Sequence, residues 1–269
     1  MSLLLSVDWD VRIAGAAVGL TRRARVLSRH GLRVERSATR IAHEADPPAA
    51  ATPWAAALAT LDAALAAQPE TRRAPRRRAR VVLPDSLVRY AVLPWQLALA
   101  GRTEEQAYLR HRFGHLYDAG TAGWHLRVEP GRGRARLASA VHPALVDALC
   151  SLLAAHDIVL GALVPALADT VNRERTRLVR PNAWLACHDA GCLCLAGWNA
   201  WQWTTARSFR VGPCWHAELP ALLAREECMH DGSGVTDALY LYDCDGAAFE
   251  PVPGWHTEDL RGAQGGAGA

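Results

Sequence analysis

Lysine is absent from this chain of 269 residues: all 30 basic residues are arginine. Against 27 acidic residues they leave a formal charge of +3 with histidine neutral. That surplus is too small for nucleic acid or an anionic membrane to be the main partner of the whole chain. Arginine in place of lysine throughout, beside abundant alanine, fits the codon bias of a GC-rich bacterial genome. Arginine number alone therefore carries little functional weight.

Long apolar runs are missing too. No stretch approaches the roughly 20 uninterrupted apolar residues of a membrane span. The opening Met1-Ser2-Leu3-Leu4-Leu5-Ser6-Val7-Asp8 lacks a basic n-region and is broken by Asp8 and Asp10, unlike a secretory signal. Cysteines number seven, an odd count with five of them between positions 187 and 228. They form no secreted disulfide framework and suit a reducing compartment, so the sequence predicts a cytoplasmic protein. Gly-x-Ser-x-Gly and His-Glu-x-x-His are absent, and the 11 histidines are scattered, so no serine-hydrolase or zinc-peptidase signature is present.

What remains is an ordinary globular composition, 50% hydrophobic and 21% charged. A chain of this length buries roughly 70 to 75% of its unfolded surface and needs no staple to fold. Short apolar segments at 3–8, 11–18 and 24–34 predict a three-stranded meander, with its first hairpin at Trp9-Asp10. Thr52-Pro53 then reads as an N-cap and first helical residue, followed by an apolar stripe of Trp54, Leu58, Leu61 and Leu65. Val81-Val82-Leu83 and Leu87 to Trp95 read as strands. Thr103 to Gln106 is a capping box, opening a helix whose apolar face is Leu109, Phe113 and Leu116. A hairpin over 124–129 and 134–141, a helix from His142-Pro143, a strand over 158–164 and a helix to about Arg175 complete this half.

The pattern restarts near 178, with strands at 183–188, 192–197 and 200–210, a helix over 215–229 and a strand at 237–243. Residues 257–269 end in glycine and alanine and read as a disordered tail. Mixed antiparallel and crossover connections of this kind predict an α/β protein. Three antiparallel strands, a helix and further α/β elements, met twice, match the ribonuclease-H-like order of the actin and sugar-kinase superfamily.

Two stretches carry a narrower resemblance. Val81-Val82-Leu83-Pro84-Asp85-Ser86-Leu87-Val88-Arg89-Tyr90-Ala91-Val92-Leu93-Pro94-Trp95, with the helix and hairpin after it, resembles the PilM and GspL cytoplasmic proteins. So does Ala140-Val141-His142-Pro143-Ala144-Leu145 leading to His156-Asp157-Ile158-Val159-Leu160-Gly161-Ala162-Leu163. These proteins build inner-membrane platforms of type IV pili and type II secretion systems, and the resemblance spans about residues 3–245. It implies an actin-like, two-lobe fold. The first lobe would be 1–178 with an inserted β-α-β-β subdomain at about 85–141, and a truncated second lobe would be 179–256. It also implies a non-enzymatic cytoplasmic scaffold, peripheral at the inner membrane. Such a scaffold would bind the cytoplasmic tail of a bitopic membrane protein and a secretion or pilus ATPase. Arg89, Tyr90 and Trp95 are the expected lining of a tail-binding groove beside the inserted unit.

The alternative in the same superfamily is an ATPase or small-molecule kinase using Mg-ATP. Its two phosphate loops need Asp-x-Gly followed by a hydroxyl residue, so that turn amides cradle phosphate. Asp8-Trp9-Asp10-Val11 keeps only the aspartate, and Asp189-Ala190-Gly191-Cys192 lacks the hydroxyl. Asp8, Asp189 and Gly191 are thus remnants of a degenerate site; no bound cofactor is expected, though a weak ATPase activity stays open. The Cys187, His188, Cys192, Cys194 cluster and the Cys214/His216 and Cys228/His230 pairs lack zinc-knuckle spacing, which favours buried structural cysteines over a metal site. Six arginines between Arg72 and Arg80 read as a solvated loop able to touch a membrane surface, with no specific nucleic-acid partner. Trp198, Trp201, Trp203 and Trp215 either close the small second core or form an interaction surface.

Overall fold

The computed structural model describes residues 3–28, 31–43, 52–68, 77–95, 101–117, 119–121, 123–229, 238–244 and 251–261. Its elements begin with β1 (Leu3–Ile13), β2 (Ala17–Ser28), β3 (Gly31–Ala42), α1 (Ala55–Ala66), β4 (Arg77–Leu83), β5 (Val88–Leu93) and α2 (Arg102–Tyr117). Next come β6 (His125–Val128), β7 (Arg136–Val141), α3 (Pro143–Ala155), β8 (Val159–Pro165) and α4 (Ala166–Glu174). The chain closes with β9 (Ala183–Asp189), β10 (Cys192–Asn199), β11 (Gln202–Arg210), α5 (Trp215–Met229), β12 (Ala238–Asp243) and β13 (His256–Asp259). Contacts divide it into two compact units, Met1–Leu87 with Pro143–Ala166, and Val88–His142 with Leu167–Ala269.

In the first unit the strands lie in the order β3-β2-β1-β4-β8. Val7, Trp9, Val11 and Ile13 are buried at period two, which carries β1 straight through Asp8 and Asp10 on the opposite face. The hairpin therefore falls at Ala14 to Ala16, where the Ala14 N–H donates to the Ala17 carbonyl at 2.8 Å, and not at Trp9-Asp10 as the short apolar segments suggest. Helix α1 starts three residues after Thr52, with Trp54 at the N-cap and no side-chain cap. Its buried stripe is Ala57, Leu61, Ala64 and Leu65. Arg77 to Arg80 belong to β4 and not to a loop. Arg77 is buried with its guanidinium 3.5 Å from Asp157, and Arg80 lies 3.6 Å from Asp10. Arg72, Arg73 and Arg76 lie outside the described residues.

The second unit holds two sheets. The inserted one runs β5-β7-β6. Leu109 and Phe113 of α2 pack on it against Ala91, Leu93, Ala138 and Ala140, whereas Leu116 is exposed. Glu104 accepts the Gly101 N–H at 3.1 Å, so the helix is capped at Gly101, two residues earlier than Thr103. The other sheet runs β11-β10-β9-β12-β13, repeating strand for strand the antiparallel and parallel order of the first. Strand β5 runs beside β11, which groups the insert with this sheet and not with the first lobe, as the sequence division had it.

Strand β13 corrects the expected tail. Residues 256–259 pair in parallel with β12, and Leu260 is fully buried, its N–H donating to the Leu241 carbonyl at 2.9 Å. Arg177 fastens the strand by donating to Glu258 and to the Asp259 carbonyl. The truncation of this half is in its helices: α5 is the one helix among the described residues between its five strands.

Candidate functional site

A cavity of about 210 Å³ opens in the second unit, where the β6–β7 hairpin meets α4 and the β10–β11 turn. Glu129, Arg134, Val171, Arg175, Leu178, Trp198, Trp201 and Trp203 line it. The volume is below the roughly 300 to 1,000 Å³ of small-ligand pockets, so it suits one or two side chains of a peptide. The carboxylate of Glu129 holds the walls together. One oxygen accepts from Arg134 at 2.9 Å, and the other accepts the Trp203 indole N–H at 2.9 Å. Trp198 is buried behind them, edge-on to Trp203 and stacked on Tyr240, and its indole N–H donates to the Arg180 carbonyl at 3.0 Å.

Trp201 stands on the rim, 53% exposed. It and Ala200 form the two-residue turn between β10 and β11, with φ of 61° and 49°. Both central residues of such a turn need positive φ, which normally selects Asn and Gly. A bulky side chain held there stores strain of order 1–3 kcal/mol, of the kind that clusters at binding sites. The neighbouring chain imposes the conformation: Ala200 N–H donates to the Asn182 side chain at 2.9 Å, and Trp201 N–H donates to the Pro181 carbonyl at 3.0 Å. Arg175, also on the rim and exposed, makes no ion pair among the described residues.

The tryptophan cluster of the sequence thus divides its roles. Trp198 fills core, Trp203 forms a wall and Trp201 is displayed, while Trp215 is buried elsewhere against Leu219, Leu223 and Leu241. Of the expected groove residues, Tyr90 is buried on the face of its sheet opposite α2, Arg89 is half-buried over the Tyr117 ring, and Trp95 is exposed. None of the three lines the cavity. Glu129, Arg134 and Arg175 carried no signal in the sequence, since each is an ordinary charged residue until the fold brings it to Trp201 and Trp203.

Asp8, Asp189 and Gly191, the phosphate-loop candidates of the sequence, lie apart from this cavity. Asp8 sits in mid-strand, registered between Arg23 and Arg78, and the turn that follows is Ala14-Gly15-Ala16, without acid or hydroxyl. Asp189 ends β9 and Gly191 is the second residue of the tight turn to β10, where Ala190 and Gly191 have φ of 43° and 75°. The Gly191 N–H, of the type a phosphate would engage, already donates to His188 Nε2 at 3.3 Å. His188 in turn donates from Nδ1 to Asp243 at 3.0 Å, and both side chains are buried.

The seven cysteines are free thiols, and only Cys187 and Cys194 are buried. Cys214 and Cys228 are exposed, which corrects the expectation of a buried set, and Cys150 is exposed as well. Among the described residues no group of His, Cys, Asp or Glu converges as a metal site. No helix there is long and apolar enough to cross a membrane.

No family model and no curated protein matches the chain. Solved structures do. The cytoplasmic domain of EpsL, an inner-membrane component of the type II secretion system of Vibrio cholerae, superposes with a TM-score of 0.54 at 12% identity, over 94% of this chain and 89% of that one. The PilM–PilN type IV pilus biogenesis complex gives 0.56 at 14%, over 88% and 81%. A Bacteroides thetaiotaomicron protein of actin-like ATPase fold and unknown function gives 0.54 at 9%, over 87% and 81%. The chain has the actin-like fold of the GspL and PilM type.

Proposed function

We propose that this chain is a non-enzymatic scaffold of a pilus or secretion platform at the inner membrane, and that the Trp201 cavity takes the extended cytoplasmic tail of a bitopic membrane partner. The observation that carries this reading is the strained, half-exposed Trp201 at the mouth of a cavity sized for peptide side chains. An apolar tail residue would seat against Trp203, and an acidic neighbour would meet Arg175. The next residue after β6, an outer strand of the inserted sheet, is Glu129 of the cavity, so backbone pairing along β6 would lead the tail into it. The likeness to a PilM–PilN complex supports the reading by fold, and a secretion or pilus ATPase is the proposed second partner.

The same reading assigns no nucleotide to the chain, supported by the commitment of Gly191 N–H to His188. Two titrations test it together. Fluorescence of the rim tryptophan should change on adding a candidate tail peptide and not on adding Mg-ATP. A rise of several degrees in melting temperature with Mg-ATP but not Mg-AMP, lost in Asp189→Ala, would overturn the reading in favour of an ATPase or kinase.

A further inference from the structure

The strand register of the first unit sorts arginines onto one face. Asp8 pairs with Arg23 and Arg78, and Arg23 pairs with Arg36, so a single row across four strands reads Arg36, Arg23, Asp8, Arg78. At the spacing of neighbouring strands this row is about 14 Å long. One step along, Arg25 pairs with Val34, and in the other direction Arg40 lies opposite Gly19, which pairs with Arg12. Arg80 faces Asp10 on the same side. The face therefore carries seven arginines and two aspartates, and Arg23, Arg25, Arg36, Arg40 and Arg78 are exposed with no ion pair among the described residues. The formal charge of +3 for the chain hides this concentration.

Aliphatic side chains stand among these cations. Leu27 and Leu32 pair with each other beyond the Arg25–Val34 pair, toward the β2–β3 turn, and Val159 neighbours Arg78. Leu27, Leu32, Val34 and Val159 are 45%, 61%, 59% and 64% exposed, four of the nine large exposed hydrophobics among the described residues. The other face of the sheet is the one closed by helix: Ile41 and Ala63 border a common hollow there, and Arg77 is buried.

We infer that this face, Arg23, Arg25, Arg36 and Arg78 with Leu32 and Val34 at its hairpin end, docks on an anionic lipid bilayer. Arginine neutralises lipid phosphate while exposed leucine and valine enter the headgroup boundary, which is the chemistry of interfacial membrane contacts. Nucleic acid would use the charge but has no place for the aliphatic cluster. The inference goes beyond the tail-binding reading, which needs no lipid contact, and none of these residues lines the Trp201 cavity.

Vesicle co-sedimentation of the full chain tests it, using phosphatidylcholine vesicles with and without phosphatidylglycerol, and a random oligonucleotide as a competing polyanion. The expected result is binding to anionic vesicles only. The triple variant Arg23→Glu, Arg25→Glu, Arg36→Glu should weaken it on the order of a hundredfold, from about 1 kcal/mol per basic residue near the surface. Leu32→Ser with Val34→Ser should weaken binding at raised salt, where charge is screened and the apolar contribution remains. All five positions are exposed, so both variants should keep the circular dichroism of the parent. Absence of parent binding, equal binding by the triple variant, or oligonucleotide binding that the triple variant loses without any vesicle binding would each overturn the inference.

Discussion

His188 and Asp243 meet at 3.0 Å inside the second sheet, at the ends of adjacent strands 55 residues apart in sequence. Asp243 accepts from Nδ1, which leaves Nε2 as the acceptor for the Gly191 N–H. Two hydrogen bonds thus fix the tautomer of the ring, and the ring engages the Gly191 amide of the β9–β10 turn.

Removing the carboxylate in Asp243→Ala leaves a buried donor without that acceptor. Urea denaturation should show a loss of about 1–3 kcal/mol. Mg-ATP should not restore it. Restoration by Mg-ATP would mean that the turn is a working phosphate site.

Trp201→Asn should separate binding from stability. Asparagine accepts the left-handed backbone more readily than tryptophan, so the melting temperature should hold or rise, by up to about 1 kcal/mol in stability. Affinity for the tail should fall at least tenfold, as expected of a central aromatic anchor. Isothermal titration of the same peptide against both proteins checks the affinity and thermal denaturation checks the stability, and a loss of stability would show that Trp201 is merely packed.

Leu260→Ala tests the closing strand. A fully buried leucine truncated to alanine typically costs about 2–5 kcal/mol. A change within about 0.5 kcal/mol, the range of surface substitutions, would return residues 257–260 to the status of a tail.

The Tyr117 hydroxyl donates to the Tyr90 carbonyl at 2.7 Å, and burial pushes its phenol above the ordinary 10.0. The unfolded chain therefore releases this proton first as pH rises. Its contribution to stability is full below pH 10.0, the unfolded value, and is lost as pH climbs through the raised folded value. Denaturation midpoints measured from neutral to strongly alkaline pH should fall at the alkaline end, and less steeply in Tyr117→Phe.

Much of this architecture is legible in the residues. Short apolar segments that recur in the same order, three strands followed by a helix and a strand, near the start and again from about 183, lead to the doubled strand order. The first hairpin is misplaced because Asp8 and Asp10 look like turn residues, whereas they are the polar half of an alternating strand. Strand β13 hides because His256-Thr257-Glu258-Asp259 has no apolar alternation. It is held by the backbone of β12 and by Arg177, which no local pattern records. The cavity is half legible: the tryptophans stand out, but Glu129, Arg134 and Arg175 gain meaning only when the inserted hairpin is brought to β11. The His188–Asp243 pair has no spacing signature at all.

The central claim, that the cavity receives a membrane protein's tail, is tested most directly by photo-crosslinking in the native host. A photoreactive phenylalanine analogue replaces Trp201, and the adduct is identified by mass spectrometry. The account predicts one dominant adduct with the cytoplasmic tail of a single-span inner-membrane protein, suppressed when Arg175 is changed to glutamate. Adducts only with soluble proteins, or none while the protein remains folded and abundant, would contradict it.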